Sequence, residues 1–399
     1  MAKILFCHAE SCLTTGTRRT DGGLLLWDSL RLHSLIREGD GSKMKSRSTA
    51  AAALKRTGGI LVIPALCLAA SMLMCRSFGT ALFKDSLSWS TFFYGLAYLS
   101  LVAYAVSINL HSGRFDFSVS SIIILSSTVV IMLACKGVDN VFLLLMAGLF
   151  TGLLSGLVSG GLYLMLRLPP MIVSLGVALL YEAIAYIVAG GSESNSVVTL
   201  QPAISGALKV FIGANGQSPI YLLIITGGVL AFMIAAFHYT RFGYDYRALQ
   251  SGQQIAVNTG ADEYKNALAC YVIAGGLAGL AGFLFGAQIQ YTRVSGYLNF
   301  GTVGKMFDAF CPLFFAGFVS RFCNKQAAIL ISVVGYEFLQ LAFGNMNAVN
   351  TTFTSTIYGI INSVILVLFL IYLNNENKLV ELLHIKKHLA ARRQKSVGE

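Results

Sequence analysis

TRFGYDYRALQSGQQIAVNTGADEYK, residues 240–265, separates two long apolar runs. It is polar, charged and punctuated by glycine, between stretches that carry almost no charge. Tyr244 to Ser251 has the length of about two helical turns, and Gly252 can end them as a glycine just past a helix C-terminus does. Gln253 to Asn258 can form a second short helix before Gly260. Asp262 and Glu263 then fall at the start of the next apolar run, where acids complement the helix dipole. A pair of short helices lying on a membrane face is a rigid body that a partner can push. A loop that only anchors topology needs charge, but not this placement of glycines, nor the Gln-Gln-x-x-x-Asn pattern.

The rest of the chain sets that segment in lipid. Apolar residues make up 55% of the 399 and charged residues 12%, against roughly 25% charged in soluble domains. The 29 Lys and Arg against 18 Asp and Glu read as cationic loops held on one membrane side. No basic stripe carries the interleaved aromatics of a nucleic-acid surface. Windows of about 20 apolar residues fall at roughly 58–75, 92–110, 117–134, 141–166, 171–190, 219–238, 265–290, 305–320, 326–344 and 354–373. The expectation is therefore an all-α polytopic bundle of about ten spans, the third and eighth short enough to be tilted or broken.

Charge gives the bundle its sense. With the N-terminus in the cytoplasm, the inner connections hold Lys55, Arg56, Arg114, Arg167, Arg241, Arg247, Arg321 and Lys325. The tail, 374–399, adds Lys378, Lys386, Lys387, Arg392 and Arg393. The outer connections hold Arg76, Lys84, Lys136, Lys209, Arg293 and, at the margin, Lys305. This asymmetry predicts a multi-pass protein of the cell (inner) membrane with both termini cytoplasmic. It puts 240–264 on the cytoplasmic face. The longest outer segment, 191–218, reads either as a plain connection or as a surface for a delivery protein, with a short helix near Ile204–Ile212.

Residues 1–43 hold no span and no signal-peptide apolar core. The expectation is a disordered or non-native extension, with Met44 opening a basic cytoplasmic lead, 44–57. Gly152, Gly156 and Gly160, and likewise Gly275 and Gly279, stand four residues apart, the spacing of faces along which helix backbones approach closely. Aromatics near span ends, Trp89, Tyr94, Tyr221 and Tyr291, read as interfacial anchors.

Several chemistries are missing. There is no Gly-x-x-x-x-Gly-Lys-Ser/Thr phosphate loop, so any ATP that drives this chain must be used by a partner. The eight cysteines are scattered and none has zinc-ligand spacing with histidines. The expectation is no bound metal and no cofactor of its own.

Three segments joining the apolar runs occur together: SGRFDFSVSSIIILSS (112–127), GLVSGGLYLMLRLPPMIVSLGVALLYEAIAYIVAGG (156–191), and 240–286, which extends the opening stretch into NALACYVIAGGLAGLAGFLFG. In order and spacing over roughly 58–373 the chain resembles the membrane permease subunits of bacterial ABC importers of the ribose, xylose and galactose type, in the broad family shared with branched-chain amino-acid permeases. The family usually reads Gly-Gly-Ile-Asp-Leu-Ser-Val-Gly-Ser where this chain has its Asp116, Ser118 and Val119 within residues 112–121, and small residues where 308–320 is aromatic. The resemblance implies an inverted internal repeat, two permease subunits paired in the membrane (a homodimer with a second copy), ATP-binding subunits beneath and an extracytoplasmic solute-binding protein outside. It implies import of a monosaccharide or similar small polar solute, with no enzyme activity in this chain.

Particular residues then acquire roles. Arg241, Gly243, Gly252, Asn258 and Gly260 are the expected contacts and hinges of ATPase coupling. Pro169 and Pro170 form a rigid turn and are candidates for a second cytoplasmic contact. Acids at membrane depth are functional candidates: Asp116 with Ser118, and Asp308, could line the pathway, while Asp116 could equally cap the helix at Ser118 and Val119. Glu182 and Glu337 lean toward structural roles. The alternatives are an ion-coupled secondary carrier, an ABC permease for nucleosides or branched-chain amino acids, and a membrane scaffold.

Overall fold

A computed structural model describes residues 56–191, 197–200, 219–251, 253–258, 260–289, 292–295 and 304–347, and the isolated positions 359, 360, 363, 364, 367 and 371. The chain divides into Met1–Gly58, nearly all outside the described residues, and Gly59–Glu399, which holds the bundle. The leading and trailing segments, the short helix expected at 204–212, Gly252, Tyr291 and most of the tenth expected span also lie outside the described residues.

The protein is an all-α polytopic membrane bundle with one small β ribbon. Its long helices are α1 (Arg56–Ser77), α2 (Ser86–His111), α3 (Ser118–Cys135), α4 (Val141–Leu166), α5 (Pro170–Val188), α6 (Pro219–Ile234), α9 (Glu263–Ile289) and α12 (Lys325–Asn347). Two short helices, α7 (Arg241–Ser251) and α8 (Gln253–Asn258), lie between α6 and α9. The pair α10 (Gly304–Phe307) and α11 (Phe310–Val319) precedes α12. Eight helices among the described residues are long and apolar enough to cross a bilayer. The eighth expected span is not one of them, because the chain turns at Asp308 and Ala309 and leaves two short helices. The third expected span is an unbroken helix of 18 residues.

Local signals explain several helix ends. The Asn140 side chain caps α4, accepting from the Phe142 and Leu143 amides at 3.0 and 3.4 Å. Pro170 opens α5, where its missing N–H is harmless. Asp262 accepts from the Lys265 amide at 3.2 Å ahead of α9. At the far end of α4, Arg167 has a left-handed φ of 53°, a conformation that L side chains seldom adopt.

The core is a helix–helix contact without side chains. Gly148, Gly152 and Gly156 of α4 face Gly275 and Gly279 of α9 so closely that a methyl group built on Gly152 would overlap the Gly275 carbonyl. The Ser126 hydroxyl of α3 donates to the Gly279 carbonyl at 2.8 Å, with the Gly148 carbonyl 3.3 Å away. Such bonds are worth about 0.6–2 kcal/mol in lipid, so the contact depends more on close backbone packing than on any single bond.

The ends of the bundle are well separated in character. One end gathers the α2–α3 turn, the α4–α5 turn, and α7 and α8. The other joins the α1–α2 turn to the end of α12, where Asn345 Nδ2 donates to the Ala81 and Leu82 carbonyls at 3.1 and 2.9 Å. The ribbon pairs β1 (Val197–Leu200) antiparallel with β2 (Thr292–Ser295). It was not anticipated, since four-residue strands leave little periodicity to read.

Candidate functional site

The α7–α8 end is built from an interruption. α6 passes into a π-turn, Ala235–Tyr239, and Thr240 then caps α7, its hydroxyl accepting from the Gly243 amide at 3.3 Å. α7 starts at Arg241 and is a turn longer than expected; α8 has the expected bounds. The buried face of α7 carries Gly243 and Tyr246. Gly243 sits against the Phe237 backbone with no room for a methyl group. Tyr246 packs edge-on to Phe237, with ring centroids 4.9 Å apart.

Two hydrogen bonds tie α7 to the bundle, and an ion pair stands beside them. The Tyr246 hydroxyl donates to the Ile108 carbonyl of α2 at 2.9 Å. Asn266 Nδ2 of α9 donates to the Phe242 carbonyl at 3.2 Å. Arg114, in the α2–α3 turn, approaches Glu263 at the start of α9, with 3.8 Å between charged atoms. A cavity of about 270 Å³ lies among these parts, lined by Arg114, Tyr163, Pro170, Tyr246, Gln250 and Glu263, among others.

The opposite face of α7 is open. Arg241, Tyr244 and Arg247 are exposed, as are Tyr239, Val257, Asn258 and Tyr264 beside them. Arg247 stands over the Tyr244 ring, 4.8 Å from its centroid, and its Nε donates to the Gly243 carbonyl at 3.2 Å. The surface is thus basic and aromatic, on a helix whose back is fixed. Gly260 has a φ of 96°, which glycine adopts without strain. Beyond it the Lys265 ammonium, 2.9 Å away, and the Lys265 amide hold the Asp262 carboxyl below its usual range.

The expected residues divide among four places. Arg241, Gly243, Asn258 and Gly260 lie together in the α7–α8 segment; Gly252 lies outside the described residues. Pro170 lines the cavity behind α7 and Pro169 precedes it as the α5 cap residue. Asp116 and Ser118 are buried in the α2–α3 turn. There the Asp116 carboxylate accepts from the Ser118 amide (2.9 Å), the Ser118 hydroxyl (2.7 Å) and Asn109 Nδ2 (3.0 Å). Burial pushes this carboxyl upward, and the hydrogen bonds from Ser118 and Asn109 oppose that shift. Ser118 meets Ser159 at 3.4 Å, Ser159 meets Tyr181 at 2.9 Å, and the Tyr181 hydroxyl donates to the Ser155 carbonyl. This chain of polar groups pins the start of α3 to α4 and α5.

Asp308 stands at the break between α10 and α11, half-buried, within electrostatic reach of Tyr98, Lys305 and Glu337. Lys305 is not in an outer connection: its ammonium stands 3.6 Å from the centroid of the Phe285 ring of α9. Tyr94 is no interfacial anchor either, being buried at 6% exposure, whereas Trp89 and Tyr221 are exposed. Among the described residues no three His, Cys, Asp or Glu side chains converge as metal ligands would. Sequence reading missed Tyr246, Asn266 and the Arg114–Glu263 pair; the one available signal was Tyr246 standing three residues after Gly243, on the same helical face.

Comparison with known proteins follows this geometry. Residues 88–383 match the family described as branched-chain amino acid transport system, permease component. The chain is 28% identical over 245 residues to the autoinducer 2 import system permease protein LsrC of Shigella flexneri, covering 60% of this chain and 66% of that protein. It is 25% identical over 264 residues to the fructose import permease protein FruG of Bifidobacterium longum, covering 64% of this chain and 75% of that one. The match to LsrC of Escherichia coli K12 is 28% over 197 residues, 48% and 54% of the two chains. The first of these alignments spans just under two thirds of the relative's length. No solved structure matches the chain. A match over residues 88–383, the greater part of the 399, leaves no doubt that the chain belongs to the branched-chain amino-acid transport permease family.

Proposed function

We propose that this protein is the transmembrane permease subunit of an ATP-driven importer for a monosaccharide or a similar small polar solute. Separate ATP-binding subunits dock on the exposed face of α7 and α8, which is then cytoplasmic. ATP is hydrolysed there and not by this chain, which binds no cofactor. An extracytoplasmic binding protein delivers the solute at the opposite end, and a second copy of the permease completes the pathway. The chain sits in the cell membrane with both termini inside.

The observation that carries this reading is the anchorage of α7. Its front is basic and exposed while its back is hydrogen-bonded to α2 through Tyr246 and Ile108. A push on the front moves α2, rather than a loop. The gathering of Arg114, Arg167, Arg241 and Arg247 at that end agrees with a cytoplasmic face. The names of the relatives, an autoinducer 2 permease and a fructose permease, favour a sugar or sugar-like solute.

The test is purification of the complex from its native host, followed by uptake of labelled D-ribose and D-fructose into vesicles. Co-purification of an ATPase and ATP-dependent uptake are expected. Uptake that survives ATP removal but collapses with a protonophore would replace this reading with an ion-coupled carrier.

A further inference from the structure

A second polar assembly lies deep in the bundle, on residues that the coupling machinery does not use. Glu337 of α12 is buried at 7% exposure and its carboxylate occupies a notch in α2, where a methyl group on Gly95 would overlap it. Beside Gly95 on α2 stand Tyr94 and Tyr98, their rings parallel and 6.1 Å apart. Tyr98 is also 6.0 Å from the Phe285 ring, over which Lys305 lies. Asp308 interacts with Tyr98, Lys305 and Glu337. Four elements therefore bring one cation, two acids, two phenols and an aromatic face to one place.

Its depth is set by helix geometry. At 1.5 Å per residue, Glu337 lies about 18 Å along α12 from Lys325, and Tyr98 about 20 Å along α2 from His111. The start of α12 is tied to α2 between these points, where the Tyr104 hydroxyl donates to the Gln326 carbonyl at 2.8 Å. The assembly therefore sits near the middle of a hydrocarbon core of about 30 Å.

Two features separate it from a structural ion network. The Tyr94 hydroxyl is buried and has no hydrogen-bond partner among the described residues, and such a group costs about 1–3 kcal/mol. Lys305 and Asp308 are only half-buried at a depth where lipid does not tolerate charge, so their open sides face water or solute. The helix break at Asp308 fits the same conclusion, because interrupted helices at mid-membrane persist where they line a cavity.

Resting on the importer reading above, we propose that Tyr94, Tyr98, Lys305, Asp308 and Glu337 form the mid-membrane contact through which a neutral, polyhydroxylated solute passes. The ammonium of Lys305 donates to hydroxyl oxygens, the carboxyl oxygens of Asp308 and Glu337 accept hydrogen bonds from hydroxyls, and the phenols do either. The Tyr98 and Phe285 rings offer flat faces for the C–H side of a sugar ring.

The test uses the intact complex from its native host, reconstituted in phospholipid vesicles, with D-ribose and D-fructose as probes. Glu337→Gln and Tyr94→Phe should each raise the KM for uptake at least fivefold, while Leu73→Ala, on the exposed face of α1, serves as control. A cysteine placed by Asp308→Cys should react with a membrane-impermeant thiosulfonate reagent above the level of the parent protein, and more slowly when sugar is present. An unchanged KM in both variants, or an unreactive Asp308→Cys, would overturn the proposal. If the wild-type complex takes up neither sugar, the sugar assignment within the importer reading is what fails. In that event a reactive Asp308→Cys still upholds a watery path at this cluster and an unreactive one still overturns it.

Discussion

The Tyr246 hydroxyl of α7 donates to the Ile108 carbonyl of α2 across 2.9 Å and 138 residues of chain. Ile108 is in the last turn of α2, where carbonyls have no partner within the helix. The bond satisfies one of them with a group from α7. The same helix carries Tyr94, Gly95 and Tyr98 farther along, so in the proposed mechanism one helix joins α7 to the proposed solute contact.

Tyr246→Phe removes that bond and leaves the ring packed on Phe237. The loss is about 1 kcal/mol, which corresponds to roughly a fivefold change in an equilibrium. The number of sugar molecules taken up per ATP hydrolysed should fall by about that factor in reconstituted vesicles, while the amount of permease in the membrane is unchanged. An unaltered ratio would show that α2 does not receive its motion through this contact.

Gly243→Ala tests the other half of the anchorage. The added methyl overlaps the Phe237 carbonyl, which is backbone and cannot swing aside, so α7 must lift from its seat. Retention of the ATPase subunits on the purified permease should drop severalfold. Gly260→Val, at a φ of 96°, should uncouple uptake from hydrolysis while the protein stays in the membrane, and a bulky residue at Gly252 should do the same. Wild-type transport in both of those variants would remove the glycines from the mechanism.

The sequence revealed long-period features and hid those set by tertiary contact. Eight of the ten apolar runs, the Gly152–Gly156 and Gly275–Gly279 ladders and the Pro170 helix start are local, and these are where they were expected. α8 was legible because Gln253–Asn258 is bracketed by punctuating residues. Tyr246 was not singled out, because its partner is a backbone carbonyl 138 residues away and carbonyls leave no trace in side-chain identity. The break at Asp308 was visible only as a short, aromatic run. Lys305 was misplaced because hydropathy windows cannot tell an outer loop from a chain that re-enters the bundle beside Phe285.

Gly152→Leu should be the most damaging single change in the spans. The Gly152 side faces the Gly275 carbonyl and the Gly279 Cα with no intervening side chain. A butyl group there must separate α4 from α9 and draw Ser126 away from the Gly279 carbonyl. Overpacking of this kind costs about 1–3 kcal/mol or more. Thermal unfolding of the detergent-solubilised protein should occur well below that of the wild type, whereas Gly161→Leu, with open space at its Cβ, should unfold normally.

The last test concerns Arg114 and Glu263, which join the α2–α3 turn to the start of α9 at 3.8 Å. Arg114 is the more deeply placed partner, with 8% of its side chain in solvent against 29% for Glu263. Removing the exposed acid therefore strands a buried cation, and removing both charges does not. Glu263→Gln should destabilise the protein by about 1–3 kcal/mol, less than a fully buried pair would lose, because water still reaches the site. The double replacement Arg114→Met with Glu263→Met should recover at least half of that loss in the same unfolding assay. If instead the double variant is as unstable as the sum of its single changes, the two side chains act independently, and the turn is held to α9 by packing around Tyr163 and Tyr271, whose rings lie 5.5 Å apart.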